Sequence, residues 1–181
     1  PGNEFTRDLL DRLHAVERQA CLDSRRTLVC SADDGLKMQE IYGLPKDRTV
    51  EVPNGVDLNS VHFTSPAERL KIKEQLNLKN KVTALFLGSW HQPNIEAVER
   101  IFQFAARLPE VKFLIAGSVG LFFEGKTHPP NVGFLKTLDE EEKGFILSMA
   151  DVGLNPMNMG SGTNMKMLDY LAAGLPVVST R

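Results

Sequence analysis

Two largely apolar runs, Val82–Leu87 (VTALFL) and Val111–Ala116 (VKFLIA), most constrain what this chain can fold into. Each ends on a glycine, Gly88 and Gly117, and between them Ile95, Val98, Phe102 and Ala105 recur at helical spacing. A strand whose successive side chains are apolar has to be buried on both faces, which happens when helices cover both sides of a parallel sheet. Strand, helix and parallel strand make a right-handed crossover. The predicted class is therefore α/β: a Rossmann-like, doubly wound parallel sheet.

The remainder of the chain extends the alternation. The sequence predicts a helix over Pro66–Leu76, a loop over Ser118–Asn131, a short strand at Val132–Leu135, and a helix from Asp139. In the last of these, Glu140, Glu141 and Glu142 suit the positive end of the helix dipole. Asp151–Leu154 reads as another strand, closed by Asn155-Pro156, and Pro176–Thr180 as the last. The opening third reads as helix (4–22, from Phe5, Leu9, Leu13, Val16 and Ala20), strand (Thr27–Cys30), helix (Ser31–Tyr42) and strand (Thr49–Val52). Ser31 or Asp33 caps the second helix and Gly43 stops it. A connector without sustained periodicity follows from Asn54 to Ser65. The opening third cannot close a core alone. With a start at Pro-Gly-Asn-Glu and an end directly on a strand, the 181 residues read as a piece of a longer protein.

Composition excludes several classes. Hydrophobic content of 42% supplies a core of ordinary size, and a net charge of -2 gives no field to gather nucleic acid or an anionic membrane. Arg25-Arg26 and the lysines at 71, 73, 79 and 81 read as solvated surface. Cys21 and Cys30 lack metal spacing and read as buried thiols in a reducing cytoplasm. No apolar run spans a membrane, and no His, Cys or carboxylate group has metal-ligand spacing. The loop GSWHQPN is not GxGxxG, which argues against a dinucleotide-dependent dehydrogenase.

Ligands in doubly wound sheets lie outside the carboxyl ends of the strands. Three loops leave those ends: Gly88–Asn94, Gly117–Gly120 and Asn155–Thr163. The third, with Gly160, Ser161, Gly162 and Thr163, runs through Asn164 into a predicted helix that carries Lys166 and Asp169. Unpaired amides at a helix start, close backbone approach at glycine and one ammonium suit a phosphate group. A carboxylate three residues after the lysine suits ribose hydroxyls. His91 is the polar candidate in the first loop; Trp90 and the methionines between 149 and 167 read as packing.

Four segments in order, TVEVPNGVD (49–57), LFLGSWHQPNIEAVERI (85–101), VKFLIAG (111–117) and ADVGLNPMNMGSGTNMKMLDYLAAGLPVVST (150–180), resemble the nucleotide-sugar-dependent glycosyltransferases of the GT-B fold, in particular the family 4-like (group 1) enzymes. The resemblance implies that residues 1–56 are the last part of an acceptor-side domain with its linker. Residues 57–181 would then be most of the donor-binding domain. It implies transfer of a sugar from a nucleoside diphosphate sugar to an acceptor hydroxyl, with retention and without a metal or other cofactor. Lys166 takes the catalytic position beside the departing diphosphate. Gly88, Ser89, His91, Asn94, Gly117, Ser118, Phe134, Leu135, Gly160, Ser161, Gly162, Thr163, Asn164 and Asp169 take donor-binding positions.

The pattern also departs from its relatives. Asp169 stands where the family often has Glu, and Ser161 where its second acid falls. Ser89 and Asn94 stand where relatives carry Arg and Lys, so the diphosphate charge rests more heavily on Lys166. The implied setting is cytoplasmic, or peripheral at the inner face of the membrane, in surface polysaccharide or glycan synthesis. The acceptor would be a glycan, a lipid-linked sugar or another hydroxyl, with no nucleic-acid partner. The isolated piece is expected to be inactive and to self-associate. Two other readings share these residues: a GT-B epimerase acting on a nucleotide sugar, and a non-catalytic nucleotide-sugar-binding subunit.

Overall fold

The computed structural model describes residues 4–158 and 164–180, which fall into two compact units, Pro1–Asn54 and Gly55–Arg181. The first unit contains α1 (Glu4–Asp23), β1 (Thr27–Val29), α2 (Ala32–Tyr42), a 3-10 turn at Lys46–Arg48 and β2 (Thr49–Glu51), with β1 and β2 paired in parallel. Ser31 caps α2 by accepting the Asp34 N–H, and Gly43 ends it in the left-handed region at φ 68°. Val29, Tyr42 and Leu44 are buried, and the Tyr42 hydroxyl donates to Glu17. Within this unit the apolar stripe of α1 is not covered: Leu9, Leu10, Leu13 and Val16 are all exposed. The thiols also differ from expectation, since Cys30 is exposed and Cys21 half-buried. Three-residue strands leave too little sheet here to bury them.

The second unit contains α3 (Pro66–Gln75), β3 (Thr83–Leu87), α4 (Gln92–Arg107), β4 (Lys112–Ala116), a 3-10 run (Ser118–Phe123), β5 (Val132–Leu135), α5 (Glu140–Met149), β6 (Val152–Asn155), α6 (Met165–Ala172) and β7 (Val177–Ser179). Its five strands are all parallel, in the order β5-β4-β3-β6-β7. The doubly wound parallel sheet is thus observed. Along β3 the side chains alternate between two cores. Ala84 and Phe86 join Val98 and Ile101 of α4 and Ile115 of β4 on one face. Leu85 joins Leu147, Tyr170 and Ala173 on the other. Capping boxes at Ser65/Glu68 and Asp139/Glu142 fix where α3 and α5 begin.

The reading of the α3 lysines as solvated surface fails at Lys73. Lys73 is buried, pairs with Asp151 and donates to Lys81 O at 2.7 Å. The same Asp151 oxygen accepts the Thr83 N–H at 2.7 Å, so the pair locks α3 to the amino ends of β3 and β6. Arg69 is also buried and donates to five carbonyls, those of Leu147, Ser148, Ala150, Thr64 and Ala173, at 2.5–3.2 Å. One guanidinium therefore satisfies the carbonyl ends of both α5 and α6, where helix termini leave unpaired acceptors and a partial negative charge. Burial lowers its pKa, opposed by Asp151.

Candidate functional site

Strand order reverses between β3 and β6: β3, β4 and β5 proceed in one direction, and β6 and β7 lie on the other side. The crevice beyond the carboxyl ends at such a switch point is where α/β sheets bind ligands. Two glycines shape it. Gly117, just past β4, has φ 106°, and a Cβ there would stand 2.3 Å from the Gly88 carbonyl oxygen. Only glycine permits this approach of the two loops. The loops are then tied together by Val119 N–H to Gly88 O (3.2 Å) and by Trp90 N–H to Ser118 Oγ (2.8 Å).

The result is a cavity of about 240 Å³ whose walls include Gly88, Ser89, Gly117, Ser118, Lys143 and Asp169. A second cavity of about 590 Å³ shares Gly117, Ser118 and Thr137 with it and extends past Phe123, Lys126, His128, Phe134 and Leu135. Its wall is aromatic: Phe123 stacks on Phe134 at 5.8 Å, and His128 meets Phe134 edge-on at 5.2 Å.

Asp169 reaches the smaller cavity from α6. Burial raises its pKa, partly offset by Lys143, whose ammonium lies 4.0 Å away and also pairs with Glu140 at 2.7 Å. Next to it Tyr170, fully buried, accepts the Leu87 N–H at 2.8 Å and donates to Leu154 O at 3.4 Å. That hydroxyl satisfies main-chain groups of both β3 and β6 and holds α6 against the switch point.

Lys166 takes a different direction from Asp169. Its ammonium lies 4.1 Å from the centroid of the Phe86 ring and donates to Asn94 Oδ1 at 2.9 Å. Gly88 touches both members of this seat, since a Cβ there would meet Phe86 at 2.7 Å and Asn94 at 3.3 Å. Burial alone lowers the Lys166 pKa to about 8. Asn94 is itself buried, and its amide nitrogen donates to Ser89 O at 2.9 Å.

The structure thus brings Gly88, Ser89, Gly117, Ser118 and Asp169 around one cavity, places Phe134 and Leu135 in the adjoining one, and sets Lys166 and Asn94 behind Gly88. His91 is exposed, lines neither cavity and begins α4 with its carbonyl only. Asn164 is exposed at the start of α6, where its carbonyl accepts the Met167 N–H. Gly160, Ser161, Gly162 and Thr163 lie outside the described residues. Trp90, expected as packing, is exposed and meets Phe122 edge-on at 6.3 Å. Among the described residues no three or more His, Cys, Asp or Glu side chains come together as a metal would need, and no helix is long and apolar enough to cross a membrane.

The sequence alone did not single out Lys143 or the aromatic cavity. The predicted loop over Ser118–Asn131 contains instead a six-residue 3-10 run that buries Val119 and Phe123. The adjacent Phe122-Phe123 between Gly120 and Gly125 was the available signal: paired large aromatics are rarely spent on a solvated loop.

A five-stranded parallel sheet with a cleft at its switch point defines a Rossmann-like domain. Residues 81–181 match the family described as glycosyl transferases group 1, and the chain belongs to that family. It is 29% identical over 140 residues to a phosphatidyl-myo-inositol mannosyltransferase of Mycobacterium tuberculosis, a match covering 72% of this chain and 34% of the mannosyltransferase. In fold it is similar to sucrose-phosphate synthase of Thermosynechococcus elongatus (TM-score 0.73, 17% identity, 93% of this chain and 44% of that one). It is also similar to the Anabaena protein HepE, solved with UDP and glucose (TM-score 0.69, 16% identity, 92% and 47%). The chain therefore spans about a third of the curated relative and under half of each solved structure. These likenesses identify the GT-B type of domain.

Proposed function

We propose that this chain contributes the donor-binding half of a glycosyltransferase that moves a sugar from a nucleoside diphosphate sugar to an acceptor hydroxyl. The observation that carries the reading is the pair of joined cavities at the switch point, with a carboxylate in one and an ammonium seated behind its glycine wall. The base lies in the aromatic cavity by Phe134 and Leu135, where ring faces offer stacking. Ribose hydroxyls donate to Asp169. The diphosphate lies over Gly88 and Gly117, where glycine leaves room for phosphate oxygens, with Lys166 seated beyond Gly88 beside Phe86 and Asn94.

In the reaction the bond from the anomeric carbon to the diphosphate oxygen breaks, and a bond to the acceptor oxygen forms as the acceptor passes its proton to the departing diphosphate. Negative charge grows on the departing diphosphate. A preorganised ammonium in a partly desolvated seat stabilises that charge more than water would. Transfer with retention, without a metal, onto a glycan or lipid-linked acceptor at the cytoplasmic side belongs to the same proposal. The family membership and the UDP and glucose held by the Anabaena relative support the donor class.

Donor binding is the property assigned to these residues, and it is testable by calorimetry with UDP, GDP and ADP. One of the three is expected to bind. Lys166→Ala is expected to weaken that nucleotide by about 1.5–3 kcal/mol, roughly 10- to 150-fold, the scale of a charge-assisted hydrogen bond. Binding of none of them, or unchanged affinity in the variant, overturns the assignment.

A further inference from the structure

Asn94 was expected as a direct donor contact, yet both ends of its side chain are spent inside the protein, one on Ser89 and the other on Lys166. It is buried, begins its reach from the first turn of α4, and delivers a neutral oxygen to a half-buried cation that stands over the Phe86 ring. Among the described residues no carboxylate pairs with Lys166. The charged groups nearby are engaged elsewhere. Asp169, on the same helix, faces Lys143 of α5. Arg100 of α4 donates to Pro156 O and to Asn158. Glu96 of α4 accepts from Gln92, and β3 presents only the Phe86 ring. A buried ammonium is ordinarily matched by an anion, because an isolated charge in a poorly solvated place is costly.

We infer that Asn94 is a positioning residue that holds Lys166 in a seat free of carboxylates, so that the diphosphate of the donor supplies the missing anion. The inference rests on the donor-site reading above. An amide is the right holder for this purpose. Its oxygen accepts a hydrogen bond and fixes the ammonium against Phe86, but it does not neutralise the charge. A carboxylate of the same shape would form a permanent ion pair and compete with the ligand. In the empty protein, burial leaves the lysine near half-protonated at pH 8. An opposite charge placed beside it favours the charged form, so the lysine fills its proton when the diphosphate arrives.

The experiment is calorimetry on the full chain with UDP, GDP and ADP at pH 8, repeated in buffers of different ionisation enthalpy. At that pH the nucleotide phosphates are already fully ionised, so a proton taken up on binding belongs to the protein. The expected result is uptake of about half a proton at pH 8, rising toward a full proton at pH 9, where the unliganded lysine is largely neutral and the phosphates stay fully ionised. Asn94→Asp is expected to bind the same nucleotide at least tenfold more weakly and to take up no proton. The new carboxylate pairs with the Lys166 ammonium but loses the donation to Ser89 O, so the melting temperature should change little. A merely structural Asn94 would lose affinity only in step with stability. Nucleotide binding without proton uptake at pH 8, or Asn94→Asp binding as tightly as asparagine, overturns this inference and leaves the donor site standing. Failure of all three nucleotides to bind the unchanged protein overturns both. The uptake measurement needs no variant, so a misfolded Asn94→Asp does not remove the test.

Discussion

Replacing Lys166 by methionine should make the protein more stable at neutral pH while removing the cation proposed to meet the diphosphate. The magnitude follows from the seat. Burial lowers the lysine from its ordinary 10.5 to about 8. At 1.36 kcal/mol per pH unit, holding the charged form in that seat costs roughly 3 kcal/mol relative to the neutral form. Methionine keeps the unbranched apolar stem against Phe86 but leaves Asn94 Oδ1 without its donor, a loss of about 1 kcal/mol. The net expectation at pH 7 is a gain of about 2 kcal/mol.

The pH dependence distinguishes this account from simple repacking. Below pH 8 the lysine is charged in both the folded and unfolded chain, and the full cost is present. Between about 8 and 10.5 the unfolded chain binds more protons than the folded one, so the stability of the unchanged protein rises with pH. The advantage of Lys166→Met should therefore shrink through this window and reverse to about -1 kcal/mol near pH 10.5. Urea denaturation of both proteins at pH 7, 9 and 10.5 measures the difference, and groups common to the two cancel. A difference that stays constant across the three pH values, or a variant less stable at pH 7, refutes the reasoning.

Two other substitutions probe the framework that carries the cleft. Arg69→Met should destabilise the second unit by roughly 3–5 kcal/mol, since several buried carbonyls lose their donor at ~1–3 kcal/mol each; a loss under about 1 kcal/mol in urea denaturation would contradict the role of that guanidinium. Gly117→Ala should cost about 1–3 kcal/mol in backbone strain and push the Gly88 loop outward, abolishing nucleotide binding in calorimetry; unchanged affinity would show that the contact of the two loops is irrelevant to the ligand.

Much of the sheet was readable because its strands are apolar at successive positions and stop at glycine. Phe86 and Leu85 serve opposite cores, and a sequence that buries both announces a strand covered on both sides. The starts of α3 and α5 were equally local, since Ser65–Glu68 and Asp139–Glu142 satisfy their own helix ends. What could not be read depends on residues far apart in the chain. Arg69 and Lys73 look like surface cations until carbonyls and a carboxylate 78 or more residues away arrive to pair with them. In the cleft, Gly88, Gly117 and Asp169 were legible from spacing. Lys143 was not, because only the placement of α5 beside α6 brings its ammonium to Asp169. The orientation of Asn94 was hidden for the same reason: its partner, Lys166, is 72 residues further on.

The two ends of the sheet treat buried charge in opposite ways, and the contrast explains why the cleft lies where it does. At the amino ends of β3 and β6 the charges are matched within the chain. Lys73 meets Asp151, Asp151 also accepts a strand N–H, and the Arg69 guanidinium is surrounded by five carbonyls. That pairing fixes α3, α5 and α6 on the strands. At the carboxyl ends the matching is incomplete. Lys166 has an amide oxygen and an aromatic face, and burial pushes the Asp169 carboxyl toward its neutral form with one lysine shared at 4.0 Å. A fold held firmly at one end can tolerate such incompletely matched groups at the other, and those groups gain most from a ligand that completes their pairing. In the proposed donor site a nucleoside diphosphate would do this for both, its phosphates supplying the anion that Lys166 lacks and its ribose hydroxyls donating to the carboxylate of Asp169.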